Sequence, residues 1–336
     1  MSRPTLKTLC LDWHINQSTA CRDILADPLE PFCDIELVAW DGASIPDNAL
    51  DLSSPLIFFQ LPPPPSLLES RRARVVWVPM WDQARGYGQG WWDAIPKWVR
   101  VISFSEQIRM RAEAAGLPLL NLRYFSDPNA FSPVTWDRDP ILFYWNRTGI
   151  AGPGLLRKLC EAIGARELIF RPDLDPRIDP RVYYELPERL GKTRVMTISA
   201  SSREEYLDST RTANVFLAPR AVEGVGLTLL EAMARGSAVL AFDAPTMNEY
   251  VEDGRNGILL SAAPIALRSH LVSRFSTLLG RGAEAYAYQL NDRQDWASIK
   301  ARDLSALGRC ALADHEKGYL NWRESISSYA EFVCDW

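Results

Sequence analysis

Apolar and polar positions along this 336-residue chain fall into short apolar runs closed by proline, glycine or polar clusters, with amphipathic stretches between them. The runs have the length and β-branched content of buried strands, and the stretches have helical periodicity. In the first part, strands are predicted at 6–11, 35–40, 56–60, 75–78, 99–104 and 119–124. Polar residues at 12–19 predict a loop, with a helix beginning near Ser18. The four prolines at 62–65 predict a rigid extended loop. A helix over 105–115 would be capped by Ser105 and stopped by Gly116 and Pro118. The stretch 80–98 mixes Trp81, Trp91, Trp92 and Trp98 with Gly86, Gly88 and Gly90, and reads as an ordered aromatic loop. Residues 126–140 are polar, carry three prolines and form the best linker candidate. After them the alternation becomes regular. Strands at 141–144, 167–171, 194–198, 215–219, 238–242 and 257–260 are interleaved with helices at 155–163, 202–209, 227–235 and 246–251. The tail 264–336 reads as helical throughout. Such alternation predicts an α/β architecture with mostly parallel sheets.

Composition narrows the function classes. Apolar residues make up 47% and charged residues 24%, as expected of a globular chain long enough for two domains. The net charge of −5 argues against a nucleic-acid backbone as partner. Cys10, Cys21, Cys33, Cys160, Cys310 and Cys334 show no C-x-x-C spacing, and only three histidines are present, so no metal site is expected. The cysteines read as reduced and mostly buried, and the expected location is cytoplasmic. No signal peptide is read at the N-terminus, and no run reaches the roughly 18 apolar residues of a membrane span. Peripheral contact with the inner face of the membrane stays open. Twelve tryptophans exceed what a core of this size requires, so some are expected at a mouth, an interface or a ligand face. The aromatic stretch 77–98 is a candidate for stacking on a saccharide acceptor or meeting a lipid-linked one, the alternative being that its rings fill the core.

Candidate chemistry concentrates at 216–236. A strand ends at Pro219, a loop carries Arg220, Glu223, Gly224 and Gly226, and a helix then runs to Arg235 and stops at Gly236. Ligands of open α/β sheets bind at the carboxyl ends of strands, where helix N-termini offer free N–H groups. Glycines there let a diphosphate approach the backbone closely, and carboxylates accept hydrogen bonds from vicinal hydroxyls. Spacing alone fits equally well a solvated Glu231 and an ordinary loop Glu223.

Seven residues separate Glu223 from Glu231, and the run EGVGLTLLEAMARGSAVLAFDAPTMNEYVEDGRNGILL resembles the donor-site segment of retaining GT-B glycosyltransferases of the family 4 type (glycosyl transferases group 1). The resemblance extends over roughly 99–260 and includes 141–147. It implies a GT-B fold, with two Rossmann-like domains facing a central cleft. Residues 1–130 would form a reduced acceptor-side domain, 131–315 the nucleotide-sugar-binding domain, and 316–336 a helix returning to the first domain. Glu223 would contact the transferred sugar and Glu231 the ribose hydroxyls. Gly224, Val225, Gly226, Leu227 and Thr228 would meet the diphosphate, with Arg220 in the same loop, and Arg147 would neutralise the leaving group. The donor would be a UDP- or GDP-sugar, with no cofactor required. The acceptor would be a saccharide or glycan, free, lipid-linked or protein-linked. A retaining member needs no ordinary general base, because the departing phosphate assists the incoming hydroxyl.

This chain departs from the family pattern at Gly152, where a lysine is usual. Lys158 lies further into the predicted helix, and Arg171, at a strand end, is the candidate substitute. In the first domain, His14 and Asp82 follow strands and are candidates to contact the sugars, or else a satisfied loop histidine and a capping carboxylate. Two other readings are a GT-B-type nucleotide-sugar epimerase and a non-catalytic nucleotide-sugar or glycan-binding relative, the latter favoured by Gly152. A Rossmann dehydrogenase is disfavoured, since DWHINQ after the first strand lacks G-x-G-x-x-G. Oligomeric state is not legible.

Overall fold

The computed structural model describes residues 3–16, 18–43, 45–46, 54–69, 74–174, 183–200, 202–266, 286–290 and 294–335. The apolar runs of the first part become β1 (Thr5–Cys10), β2 (Asp34–Ala39), β3 (Leu56–Gln60), β4 (Val75–Pro79), β5 (Arg100–Ser103) and β6 (Leu119–Asn121). They form one parallel sheet in the order β2-β1-β3-β4-β5-β6. Every residue of β3 and β4 is buried, which is why these strands read as continuous apolar runs and not as alternating ones.

The second part supplies β7 (Ile141–Trp145), β8 (Glu167–Arg171), β9 (Arg189–Leu190), β10 (Thr193–Thr197), β11 (Val215–Leu217), β12 (Ala238–Phe242) and β13 (Gly257–Leu260). Their order is β13-β12-β11-β7-β8-β10-β9, all parallel except the edge pair β9–β10. Crossover helices Pro153–Ile163, Arg203–Thr210 and Leu227–Ala234 cover this sheet. The segment between the sheets, 126–140, is mostly irregular. It is pinned where the Val134 N–H donates to the Arg235 carbonyl (2.9 Å) and Trp136 Nε1 donates to the Gly236 carbonyl (3.2 Å).

Three expectations are corrected. The tail is not helical throughout: β14 (Ala262–Ala266) and β15 (Tyr286–Leu290) pair antiparallel, and the helices of the tail among the described residues are Trp296–Lys300 and Leu304–Cys334. Pro264 interrupts the apolar run of β14, and its partner is remote in sequence, so no local pattern marks the pair. Part of the loop expected at 12–19 is the short helix Asp12–Asn16. The stretch 80–98 is not one irregular loop: it contains the helices Trp81–Ala84 and Gln89–Asp93.

Its rings serve the core. Trp77 and Trp92 are fully buried with ring centroids 5.0 Å apart, and Trp91 stacks on Tyr87 at 4.2 Å. The long helix Leu304–Cys334 sets Trp322 against Phe104 and Tyr124, and near its end the Phe332 carbonyl accepts from Arg100 Nη1 (2.6 Å).

Candidate active site

The carboxyl ends of both sheets meet at one cleft, and each candidate side chain sits just past a strand end. On the second sheet, β7 runs into a loop shaped by the buried Asn146. Its Oδ1 accepts from the Gly149 N–H (3.0 Å) and from the Tyr144 hydroxyl (3.3 Å). Thr148 Oγ1 donates to the Pro219 carbonyl (3.1 Å), tying this loop to the one after β11. Arg147 is thereby held beside Glu223, with Nη1 3.6 Å from Oε1. Arg220 Nη1 donates to the other oxygen, Oε2, at 3.0 Å. One buried carboxylate thus receives a guanidinium on each oxygen, the arrangement that stabilises a buried charge.

Arg220 also crosses the cleft. Its Nη2 lies 3.4 Å from Asp82 Oδ2, directly after β4. Asp82 Oδ1 is buried and has no hydrogen-bond partner among the described residues. Nearby on the same sheet His14 is buried, with Nε2 2.7 Å from Gln60 Oε1 and its ring edge-on to Phe59. His14 Nδ1 likewise lacks a partner among the described residues. Burial pushes the His14 pKa down, and the Gln60 hydrogen bond and the Asp82 charge offset this in part. Gln60 itself is held at φ 71°, a conformation rare for a residue with a side chain.

Every residue of the 221–226 loop is buried. Gly226 caps the helix Leu227–Ala234 at φ 79°, where L side chains are strained. A Cβ on Gly224 would meet the Met80 Cβ at 2.9 Å, so the first sheet's loop sits directly on this one. Val225 is buried, and the Gly226 carbonyl accepts from the Leu229 N–H (3.0 Å).

Two further placements differ from simple expectation. Glu231 does lie inside the helix, but its Oε1 takes Arg203 Nη2 at 2.9 Å, and Oε2 is buried with no partner among the described residues. Burial pushes the Glu231 pKa above the ordinary carboxylate range, and Arg203 pulls it back. Arg171 is engaged as well: Nε donates to Asp173 Oδ2 and Nη2 to the Ala200 carbonyl, both at 2.8 Å. Its guanidinium lies 4.0 Å from the centre of the Trp145 ring, and that of Arg147 lies 4.7 Å from the same ring. Arg147 and Arg171 therefore share one aromatic platform. Gly152 caps the helix Pro153–Ile163 and a Cβ there would meet open space, while Lys158 is exposed further along that helix.

The structure brings Glu223, Arg147, Arg220 and Asp82 together, with His14 within electrostatic reach of Asp82. Glu231 lies behind Arg203. Sequence reasoning missed Gln60, Arg203 and the segment Thr246–Glu249. The T-x-x-E spacing of that segment is a capping-box signal that was legible. Among the described residues, no three His, Cys, Asp or Glu side chains are grouped as metal ligands, and no helix is long and apolar enough to cross a membrane.

Residues 182–271 match the family described as glycosyl transferases group 1. The whole chain resembles sucrose-phosphate synthase from Thermosynechococcus elongatus, with a TM-score of 0.59 at 14% identity over 98% of both chains. It also resembles Anabaena HepE in complex with UDP and glucose, with a TM-score of 0.55 at 14% identity over 97% of this chain and 99% of that one. The fold is GT-B. Its two Rossmann-like domains are the two parallel sheets described above, and the cleft between them is where Arg220 meets Asp82. In sequence, a D-inositol 3-phosphate glycosyltransferase from Streptomyces scabiei is 30% identical over 153 residues, which is 45% of this chain and 29% of that protein. The chain spans less than half the length of the curated relatives it matches. The family match contains Arg203, Arg220, Glu223 and Glu231, so the carboxylate cluster and the family signature coincide on the GT-B cleft.

Proposed function

We propose that the protein is a retaining glycosyltransferase that moves a sugar from a nucleotide-diphosphate donor to an acceptor hydroxyl. The observation that carries this reading is the Glu223 carboxylate, fixed between Arg147 and Arg220 where the two sheets' carboxyl ends meet. In this reading residues 1–130 hold the acceptor, 131–315 hold the donor, and 316–336 return to the first domain. Glu223 contacts the transferred sugar. Arg147, with Arg171 beside it on Trp145, faces the diphosphate as negative charge grows on the leaving group. Gly224, Val225, Gly226, Leu227 and Thr228 present backbone to the phosphates. The bond from the anomeric carbon to the phosphate oxygen breaks, a bond to the acceptor oxygen forms on the same face, and the hydroxyl proton passes to the departing phosphate. Asp82 and His14 offer their unpartnered atoms to sugar hydroxyls. Ribose contact with Glu231 requires Arg203 to move aside.

A UDP-sugar is the favoured donor class, because the similar Anabaena protein is described in complex with UDP and glucose. The acceptor class is a saccharide or glycan. The test is a thermal-shift screen of UDP- and GDP-sugars followed by donor turnover. A donor at 100 times its Kd stabilises the native state by about 2.7 kcal/mol. Glu223→Ala is expected to lower turnover by about 10²–10³-fold, the scale of losing one transition-state contact. Unchanged turnover in that variant, or no shift with any nucleotide sugar, rejects the reading.

Gly152 supports a second, non-catalytic reading, and the space around it makes the two separable. In a working enzyme, Gly152→Lys is expected to raise donor turnover about tenfold, the effect of one partly solvated charge pair. In a non-catalytic relative it changes binding without creating turnover.

A further inference from the structure

Glu249 is a conspicuous carboxylate outside the site just described. It stands at the third position of the short helix Met247–Tyr250 and, with Thr246, closes a capping box. Glu249 Oε1 accepts from the Thr246 N–H at 3.2 Å. The same carboxylate also reaches into the first domain. Oε2 accepts from the Glu106 N–H at 2.9 Å, and Oε1 from Ser105 Oγ at 3.3 Å, at the start of the helix Glu106–Ala114. Arg123 completes the set, with Nη2 3.4 Å from Oε2 and Nη1 donating to the Glu249 carbonyl. One partly buried carboxylate therefore caps a helix in each domain, and most of its donors come from the first.

Thr246 links Glu249 to the Glu223 loop. It is fully buried at φ 79°, ψ −53°, a conformation that a β-branched residue occupies only when its surroundings impose it. Its Oγ1 donates to the backbone carbonyl of Glu223 at 2.9 Å. The next residue, Met247, places Cε 3.0 Å from where a Cβ on Gly226 would lie. The strained residue thus touches the Glu223 loop on one side and is held by Glu249 on the other.

We infer that Glu249 is a positioning residue that makes the posture of Glu223 conditional on domain docking. When the domains separate, its carboxylate loses the donors from Ser105, Glu106 and Arg123. Thr246 then relaxes towards an unstrained conformation and releases the Glu223 carbonyl. When they dock, the same contacts set Glu223 between Arg147 and Arg220. The inference rests on the functional reading only for Glu223's contact with the sugar; the mechanical link is a property of the ligand-free chain.

The experiment is amide hydrogen exchange on the full-length, donor-free protein, alongside donor kinetics. Glu249→Gln keeps the shape but replaces one acceptor oxygen with an NH2 donor that faces donors. It is expected to speed exchange about tenfold at 106–109 and also at 221–228, with strand β7 unchanged. Thr246→Val, which lacks the hydroxyl, is expected to speed exchange at 221–228 alone, and Thr246→Ser to restore it. In turnover, Glu249→Gln raises the donor KM about tenfold and changes kcat less. Faster exchange confined to 105–109 and 246–251, with 221–228 as in the parent, overturns the inference and leaves Glu249 a joint between domains. If Glu249→Gln does not fold, the Thr246 pair decides alone. Absence of donor binding in the parent protein sinks the functional reading but leaves the exchange result standing.

Discussion

The two rims of the cleft handle buried polarity in opposite ways. On the rim of the second sheet, carboxylates face guanidiniums, Glu223 between Arg147 and Arg220, Glu231 beside Arg203 and Asp173 beside Arg171, with Glu231 Oε2 left buried and without a partner among the described residues. On the rim of the first sheet, His14 and Asp82 each bond through one atom and leave one buried atom, Nδ1 and Oδ1, without a partner among the described residues. Buried polar atoms are nearly always satisfied, so an orphan demands a reason. The difference fits a division of labour. The first rim leaves hydrogen-bonding capacity open on both of these side chains, while the second is self-neutralising in charge and keeps its open oxygen, Glu231 Oε2, behind Arg203. Arg220 binds carboxylates on both rims, so it is where the contrast is most easily broken.

Removing Arg220 has the largest expected effect on stability. Arg220→Ala takes a guanidinium from both Asp82 and Glu223 and leaves Arg147 beside Glu223. Breaking a buried pair on one side costs about 3–5 kcal/mol. Chemical denaturation should show a loss of that order. Adding Asp82→Asn to the variant should recover part of it, a coupling that a double-mutant cycle reads directly. Additive losses would mean that the rims are electrostatically independent.

Much of the second rim was legible in sequence, and the reason is local. Strands β11 and β12 are buried along their whole length and bounded by turn residues, so their ends, and the loop carrying Glu223, fall within two residues of prediction. Ser105 caps its helix as its position announced, and Ser202, the first residue of the predicted helix 202–209, is that helix's cap. What was illegible depends on contacts between remote segments. Nothing near Glu231 announces that Arg203 covers it, and nothing near Arg220 announces Asp82, 138 residues away. The tryptophans mislead for a related reason. Composition counts rings but does not reveal that Trp77 and Trp92 pack against each other inside the first domain.

His315 is an internal control for the meaning of an orphan atom. Like His14, it is buried, bonds to a single residue through Nε2, lies edge-on to a phenylalanine and has an unpartnered Nδ1 among the described residues. It sits on the long C-terminal helix, against the Ser126 carbonyl and Phe125, outside the cleft. Burial pushes its pKa down to about 4. The unfolded chain therefore takes up the proton first as pH falls below the ordinary value of about 6.5. Stability from His315 is full above that pH and declines down to about 4, by about 3 kcal/mol in all. His315→Gln should flatten that slope in pH-dependent denaturation. A nucleotide sugar should shift the His14 ring resonances in NMR and leave those of His315 in place. Equal response of the two rings would remove the case for the first rim as a ligand surface.

The smallest expected effect separates two glycines that lie two residues apart. Gly226 is at φ 79°, so Gly226→Ala strains the loop itself by about 1–2 kcal/mol, and Met247 Cε can give way at its flexible end. Gly224 has no such backbone constraint. Its hydrogen stands where a Cβ would press on Met80 of the opposite rim, at 2.9 Å from that residue's Cβ, which cannot move without its backbone. Gly226→Ala should therefore lower the denaturation midpoint and leave the compactness of the ligand-free protein, read by small-angle scattering, unchanged. Gly224→Ala should do the reverse: a small change in midpoint and a more open particle. If both variants only lower the midpoint, the rims are not in register through Met80, and self-neutralisation of the second rim would have to be explained within its own domain.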